Sequence, residues 1–328
     1  MKWSNYYRFL SVAFIFGFSS LLHANQPIDG LTPEQAYQQG TLLYQQNKYN
    51  QAKPLLKFAA DHNHSPAAAM YASMLFSNTF IQSEGEHEYT LKSAELGNVL
   101  AMVAASSRRA LSGREHWRTK VTPILERQAK KDDALAMRLL SMLTAFEDES
   151  VSFDWLVEAA ESGDAFSQHQ LARHYEMGDG WFILPGKREK ETERFFKAAA
   201  DSGYWLGMLD YADRLKNRGN IKGYQSIIDE LVEAGDALSI LGISGSYVDA
   251  REYELAAYYS KIYLDSMGNE GKQSGYKAAQ SIYDEATLPL TPEQIKQVDL
   301  KVQQYLKTHT VRYQKRIKDY EYTLDSFQ

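Results

Sequence analysis

Five places in the chain bring together side-chain types that can do chemistry. In Ser274-Gly-Tyr-Lys277 a lysine amine one helical turn from a serine hydroxyl has the spacing to take its proton and activate it for acyl transfer. Enzymes that work this way also need S-D-N and K-T-G elements, and the chain carries neither. His87-Glu88-Tyr-Thr-Leu91 lacks the closing histidine of the zinc-binding H-E-x-x-H pattern, so Glu84 to Glu88 reads as an acidic turn facing water. Asp61-His62-Asn63-His64 gathers nitrogen and oxygen donors where a helix-ending turn is expected, and His169 and His174, five apart on a helix, face different ways. Gly242-Ile-Ser244-Gly-Ser246 lacks the second glycine of a nucleophile elbow. The sequence therefore predicts no catalytic residue, no metal and no cofactor.

What positions these side chains is a repeated helical unit. The stretch from Gly163 to Gly203 reads as a helix, a Gly-rich turn and a second helix. Aligning the rest on the residue just after the second helix gives Asn63, Gly97, Asp132, Gly163, Gly203, Gly235 and Gly268. A helix end favours Gly or Asn there in the left-handed conformation, which leaves Asp132 as the poorest fit. Four residues on stand Ala67, Ala101, Ala136, Ser167, Gly207 and Ser239, and nine on stand Ala72, Ser106, Ser141, Ala172, Ala212 and Ser244. All are small, as close helix crossings require. Eight before the anchor stand Leu55, Tyr89, Ile124, Trp155, Phe195 and Ile227, the expected core knobs. Thr32-Pro33-Glu34-Gln35 and Thr291-Pro292-Glu293-Gln294 each carry the marks of a capped helix start.

Lys2 and Arg8 flank the start of an apolar run from Phe9 to Leu22, too short for an ordinary membrane span of about 20 residues, and Ala24 offers a small residue for cleavage. Residues 1–24 are therefore expected to be a secretory signal peptide and the mature chain to begin at Asn25, periplasmic or secreted. With no cysteine, the exported protein has to hold together by packing alone. Losing Lys2 and Arg8 takes the formal charge from −6 to −8, which argues against nucleic acid as a partner.

The phrases LARHYEMGDGW (171–181), FFKAAADSG (195–203) and AAESGDA (159–165) resemble the Sel1-like repeat, a relative of the tetratricopeptide repeat. The resemblance spans Ala36 to Gly268 and is densest from Phe153 to Gly203. It implies an all-α solenoid that binds proteins or peptides, with first helices lining a concave surface. Some cysteine-rich members have been linked to β-lactams, and this chain lacks those cysteines. The family's turn glycines occur here only as Gly178 and Gly180, so the other turns are expected to be irregular.

Residues 25–289 are thus read as the repeat solenoid, with a helix from Gln273 to Glu285 ending it, 290–308 as a capping helix and 309–328 as a tail, expected to fray on the surface, the alternatives being a further helix or a docking tail. On the non-packing face of the first helices the reading places His169, Arg173, Asp210, Asp213 and Arg214, with Arg108, Arg109 and Arg138 nearer the N-terminus. A mixed-charge groove of this kind suits a peptide or flexible protein segment. The expected function is that of an exported, non-enzymatic scaffold or adaptor. The alternatives are an envelope enzyme acting on peptidoglycan or β-lactams through Ser274 and Lys277, and a secreted factor acting on another cell.

Overall fold

The computed structural model describes residues 28, 30–76, 80–107, 109–270, 275–314, 320–322 and 324. The expected signal peptide, Arg108 and Ser274 lie outside them. Among the described residues the chain forms sixteen α-helices and no strand. Seven pairs follow one another: α1 (Pro33–Gln45) and α2 (Tyr49–Asp61), α3 (Ser65–Met74) and α4 (Glu84–Glu95), α5 (Val99–Ala105) and α6 (Arg114–Ala129), α7 (Ala134–Thr144) and α8 (Glu149–Glu161), α9 (Ala165–Met177) and α10 (Lys187–Asp201), α11 (Trp205–Asn217) and α12 (Ile221–Glu233), α13 (Ala237–Asp249) and α14 (Tyr253–Ser266). Two more helices, α15 (Tyr276–Thr287) and α16 (Pro292–Leu306), pack on the last pair. None of these helices is long and apolar enough to cross a membrane. The array is an all-α solenoid, α1 to α15 packing mainly on their chain neighbours and α16 on α14.

The joint between units is a small piece of backbone chemistry used six times. Asn63, Gly97, Asp132, Gly163, Gly203 and Gly235 all take positive φ, between 62° and 95°. The following N–H then reaches back five residues to a helix carbonyl, as Asp164 does to Ala159 at 3.0 Å, satisfying an otherwise orphaned acceptor. That next residue also caps the helix to come. The side chains of His64, Asn98, Asp133, Asp164 and Asp236 each accept the N–H three residues on. Asp132 takes the left-handed form in spite of its side chain.

Gly268 does not share this geometry. The chain leaves α14 extended at Met267, with φ −98° and ψ 147°. Gly268 is held instead by close approach: its N–H donates to the Gln46 carbonyl at 2.7 Å, and a Cβ would stand 2.5 Å from the Asn47 oxygen. Glu270 likewise accepts the Asn50 N–H at 2.7 Å. The array therefore curls until its first unit touches the segment following its seventh.

Several turns within units are more regular than expected. Asn47, Gly219 and Arg251 also take positive φ and close their turns with the same five-residue bond, so Asn and even Arg fill a glycine's place. Both small-residue columns are buried except at Ser141, half-buried and hydrogen-bonded to Ser152. The core knobs need a shift. Eight before the anchor, Ile124, Trp155 and Ile227 are only half-buried, whereas the next column, Leu56, Thr90, Leu125, Leu156, Phe196 and Ile228, is buried throughout. α15 runs from Tyr276 to Thr287, the expected start at Gln273 lying outside the described residues, and α16 carries the expected capping box.

Candidate functional site

On the first helices, the charged residues singled out in the sequence mostly tie one unit to the next. His169 on α9 meets Asp210 on α11 at 2.7 Å, with Arg173 3.5 Å from the same carboxylate. Arg214 on α11 pairs with Glu176 on α9 at 2.8 Å and lies 4.4 Å from the centre of the Phe196 ring. Arg138 stands 3.5 Å from Asp164, the cap of α9, and 5.3 Å from the Phe166 ring. Arg109 grips Glu86 through two nitrogens, at 2.9 and 3.2 Å.

Two of these residues do not lie on an open face. Arg138 is 5% exposed and His169 3%. Both stand six residues past their anchors, in a column that also holds the buried Ala69 and Val103 and packs toward the following unit. Arg173 and Asp213 are exposed, and Arg214 and Asp210 are half-buried. Burial raises the Asp210 carboxyl, but the hydrogen bond and charge of His169, with Arg173, outweigh it and hold the group below the usual carboxylate range.

The chemical fragments are dispersed. Lys277 is exposed, and the buried Ser244 hydroxyl donates to the Leu241 carbonyl at 2.7 Å. His87 is buried between Gln82 and Ser112. In the 61–64 turn, Asp61 accepts from Lys57 and Tyr89, His62 turns back to the Phe58 carbonyl, and His64 reaches Glu34, so these three side chains diverge. Among the described residues no group of three or more His, Asp or Glu is placed to hold a metal ion.

The sequence reading missed the use to which the tail is put. Val311 is 1% exposed and Tyr313 8%, so this part of the tail is buried rather than frayed. Arg312 pairs in parallel with Asp236: its N–H donates to the Gly235 carbonyl at 3.0 Å and its carbonyl accepts the Ala237 N–H at 3.1 Å. The Tyr313 N–H reaches Gln45 on α1, and its hydroxyl lies 2.6 Å from that of Tyr263.

Further on, the chain meets the joint at Gly97 in the same manner. Leu324 donates its N–H to the Gly97 carbonyl and Tyr322 accepts the Val99 N–H, both at 3.0 Å. The Asn98 amide donates to the Tyr320 carbonyl at 2.6 Å while its oxygen caps α5. Tyr322 donates its hydroxyl to Asp133 Oδ2 at 3.0 Å, while Oδ1 of that carboxylate caps α7. Burial, then the Asp133 charge, pushes the Tyr322 phenol well above its usual value. Tyr320 packs against both the α1–α4 core and the α4–α8 core.

The described tail residues 311–314, 320–322 and 324 reach α1, α5, α7 and α13, first helices spread around the curl, which places these residues on its inner side. One signal was available: Val311-Arg-Tyr313 alternates apolar and polar residues, a period of two suited to the extended chain it forms, whereas Tyr320-Glu-Tyr322-Thr-Leu324 shows the same alternation yet places Tyr320, Glu321 and Leu324 in 3-10 turns.

No family model matches the chain, and no curated protein is similar to it. Among solved structures it is similar to a protective antigen present in uropathogenic Escherichia coli strains and displaying an SLR fold, at 15% identity and a TM-score of 0.47. That match covers 85% of this chain and 62% of the other, so the chain spans less than two thirds of that antigen's length. It is also similar to a Sel1 repeat protein from Oxalobacter formigenes, at 14% identity and a TM-score of 0.36, with 82% of this chain and 86% of the other covered.

Proposed function

We propose that this chain is an exported, non-catalytic interaction protein that holds an extended protein or peptide segment on the inner face of its curl. One observation carries the reading: the inner face already holds a stretch of the chain's own polypeptide, extended at Val311 to Tyr313, by main-chain bonds at the joints between units. Such bonds read the backbone of a ligand, and flanking side chains add selectivity.

The joints at Gly163 and Gly203 offer the same pair of groups. Among the described residues, the carbonyls of Gly163 and Gly203 and the N–H groups of Ala165 and Trp205 take part in no hydrogen bond. Nearby, the exposed Arg173 adds a planar cation suited to carboxylates or aromatic rings. We place the partner segment across these two joints. Export rests on the order of basic, apolar and small residues in 1–24, and intact-mass measurement should find native protein beginning at Asn25; full-length protein in the cytoplasm would contradict it.

The test of binding is Ala165→Pro combined with Arg173→Ala. Proline suits the first position of a helix, and Asp164, with φ −66° and ψ 109°, already has the backbone a following proline demands. The variant keeps its melting temperature and loses one donor. Affinity capture from envelope extract, with cross-links mapped to the joint, should fall about tenfold or more. Unchanged capture by a well-folded variant would refute the proposed position of the ligand.

A further inference from the structure

The two stretches of tail are held differently. Val311 to Tyr313 belongs to the core of the last units: the side chains pack among α13 to α16, and Gln46 and Gln314 add contacts on either side. Tyr320, Tyr322 and Leu324 are only partly buried: they rest against the cores of units far away in sequence and meet their joints through groups that serve two purposes. Asn98 and Asp133 each spend one side-chain atom on capping a helix and the other on the tail. The helices α5 and α7 would keep their caps without the tail.

We propose that Tyr320 to Leu324 is a displaceable resident ligand, covering a peptide-binding site formed by Gly97-Asn98-Val99 and Asp133, and that the site's external ligand is a peptide segment of the same chemistry. That chemistry comprises an aromatic residue, a tyrosine two positions on whose hydroxyl meets the Asp133 carboxylate, and an aliphatic residue two further on. The inference rests on the reading of the inner face as a binder of extended segments and identifies both a ligand class and a control. The tail covers one stretch of the face until a better segment replaces it.

Tethering sets the size of the effect. A segment held by a short linker is present at an effective concentration in the millimolar range, so a free peptide of ~100 μM affinity would bind the intact chain on the order of tenfold more weakly than a chain whose tail is gone.

The probe is a fluorescently labelled synthetic peptide of residues 318–327, followed by anisotropy. Three receptors are compared: the intact chain, a chain ending at Gln314, and a full-length chain carrying Tyr320→Ser, Tyr322→Ser and Leu324→Ser. The expected result is binding to the second and third with an affinity on the order of 100 μM and about tenfold weaker binding to the first. Replacing Tyr322 by Phe in the peptide, or Asp133→Asn in the receptor, should weaken binding severalfold while Asn still caps α7.

Equal binding to all three receptors, or no binding to tail-free chain of unchanged circular dichroism and melting temperature, would overturn the proposal. So would unfolding of both altered chains, because the tail would then be part of the core. Ala165→Pro should leave this peptide's binding untouched, since the joints at Gly97 and Gly163 share no residue. Failure at one joint is thereby told apart from failure at the other.

Discussion

Gly207 gives the most direct test of how closely the helices cross. It stands in the small column four residues past Gly203, where the other units carry Ala67, Ala101, Ala136, Ser167 and Ser239. A Cβ at Gly207 would lie 2.7 Å from the Ala199 Cβ, 3.0 Å from the Ala199 carbonyl carbon and 3.2 Å from the Ala200 nitrogen. None of these atoms can rotate aside, so relief requires α11 to move away from α10 by up to about an ångström. Overpacking of this sort costs about 1–3 kcal/mol, and contact with backbone favours the upper end. Replacing Gly by Ala inside a helix returns about 1 kcal/mol. The net expectation for Gly207→Ala is therefore a loss of about 2 kcal/mol.

Gly242, also inside a first helix, supplies the control. A Cβ there meets nothing within 4 Å, so Gly242→Ala should gain about 0.5–1 kcal/mol from propensity alone. Urea unfolding followed by circular dichroism and by tryptophan fluorescence measures both, with coincidence of the two probes checking that one transition is being read. The reasoning fails if Gly207→Ala is as stable as the parent, or if both variants shift the same way, because propensity would then outweigh the crossing.

Two further outcomes follow from burial. Phe196→Ala, at a side chain 1% exposed, should cost about 3–5 kcal/mol in the same urea assay, whereas Trp155→Ala, at a half-buried ring, should cost less; the reverse order would show that the core column is misplaced. Asp236 is fully buried, its Oδ2 capping Ser239 and its Oδ1 without a hydrogen-bond partner, and burial raises its pKa above the usual carboxylate value despite the bonds from Ser239 and Leu238. A raised carboxyl costs stability once ionised, so the penalty is absent below about pH 4, grows as pH rises through the folded value and is full above it. Asp236→Asn keeps a cap and sheds the charge, and its melting temperature relative to the parent should rise with pH over that window; a variant less stable at every pH would show that the charge's attraction to the α13 N-terminus prevails.

What the sequence settled by itself is what local chemistry settles. A residue able to take positive φ, followed by an Asp or Asn cap, ends one helix and starts the next within two positions, so the joints at Gly97, Gly163 and Gly235 can be read from residue types alone. The small columns were legible for a similar reason, because a close crossing excludes large side chains wherever it occurs. Gly268 shows the limit of such reading. It matches the pattern by identity and spacing, yet its reason for being glycine is the oxygen of Asn47, more than two hundred residues away.

The same limit governs the candidate site. Whether His169 and Arg138 face solvent depends on how far one unit rotates over the next, a sum of small helix-packing angles that no single motif records. The path of the tail depends on the curl of the whole array, which brings α1, α5, α7 and α13 within reach of one fourteen-residue stretch. The alternation at Val311 to Tyr313 announces an extended chain, but such a chain needs partners for its N–H and C=O groups, and only the tertiary structure supplies them.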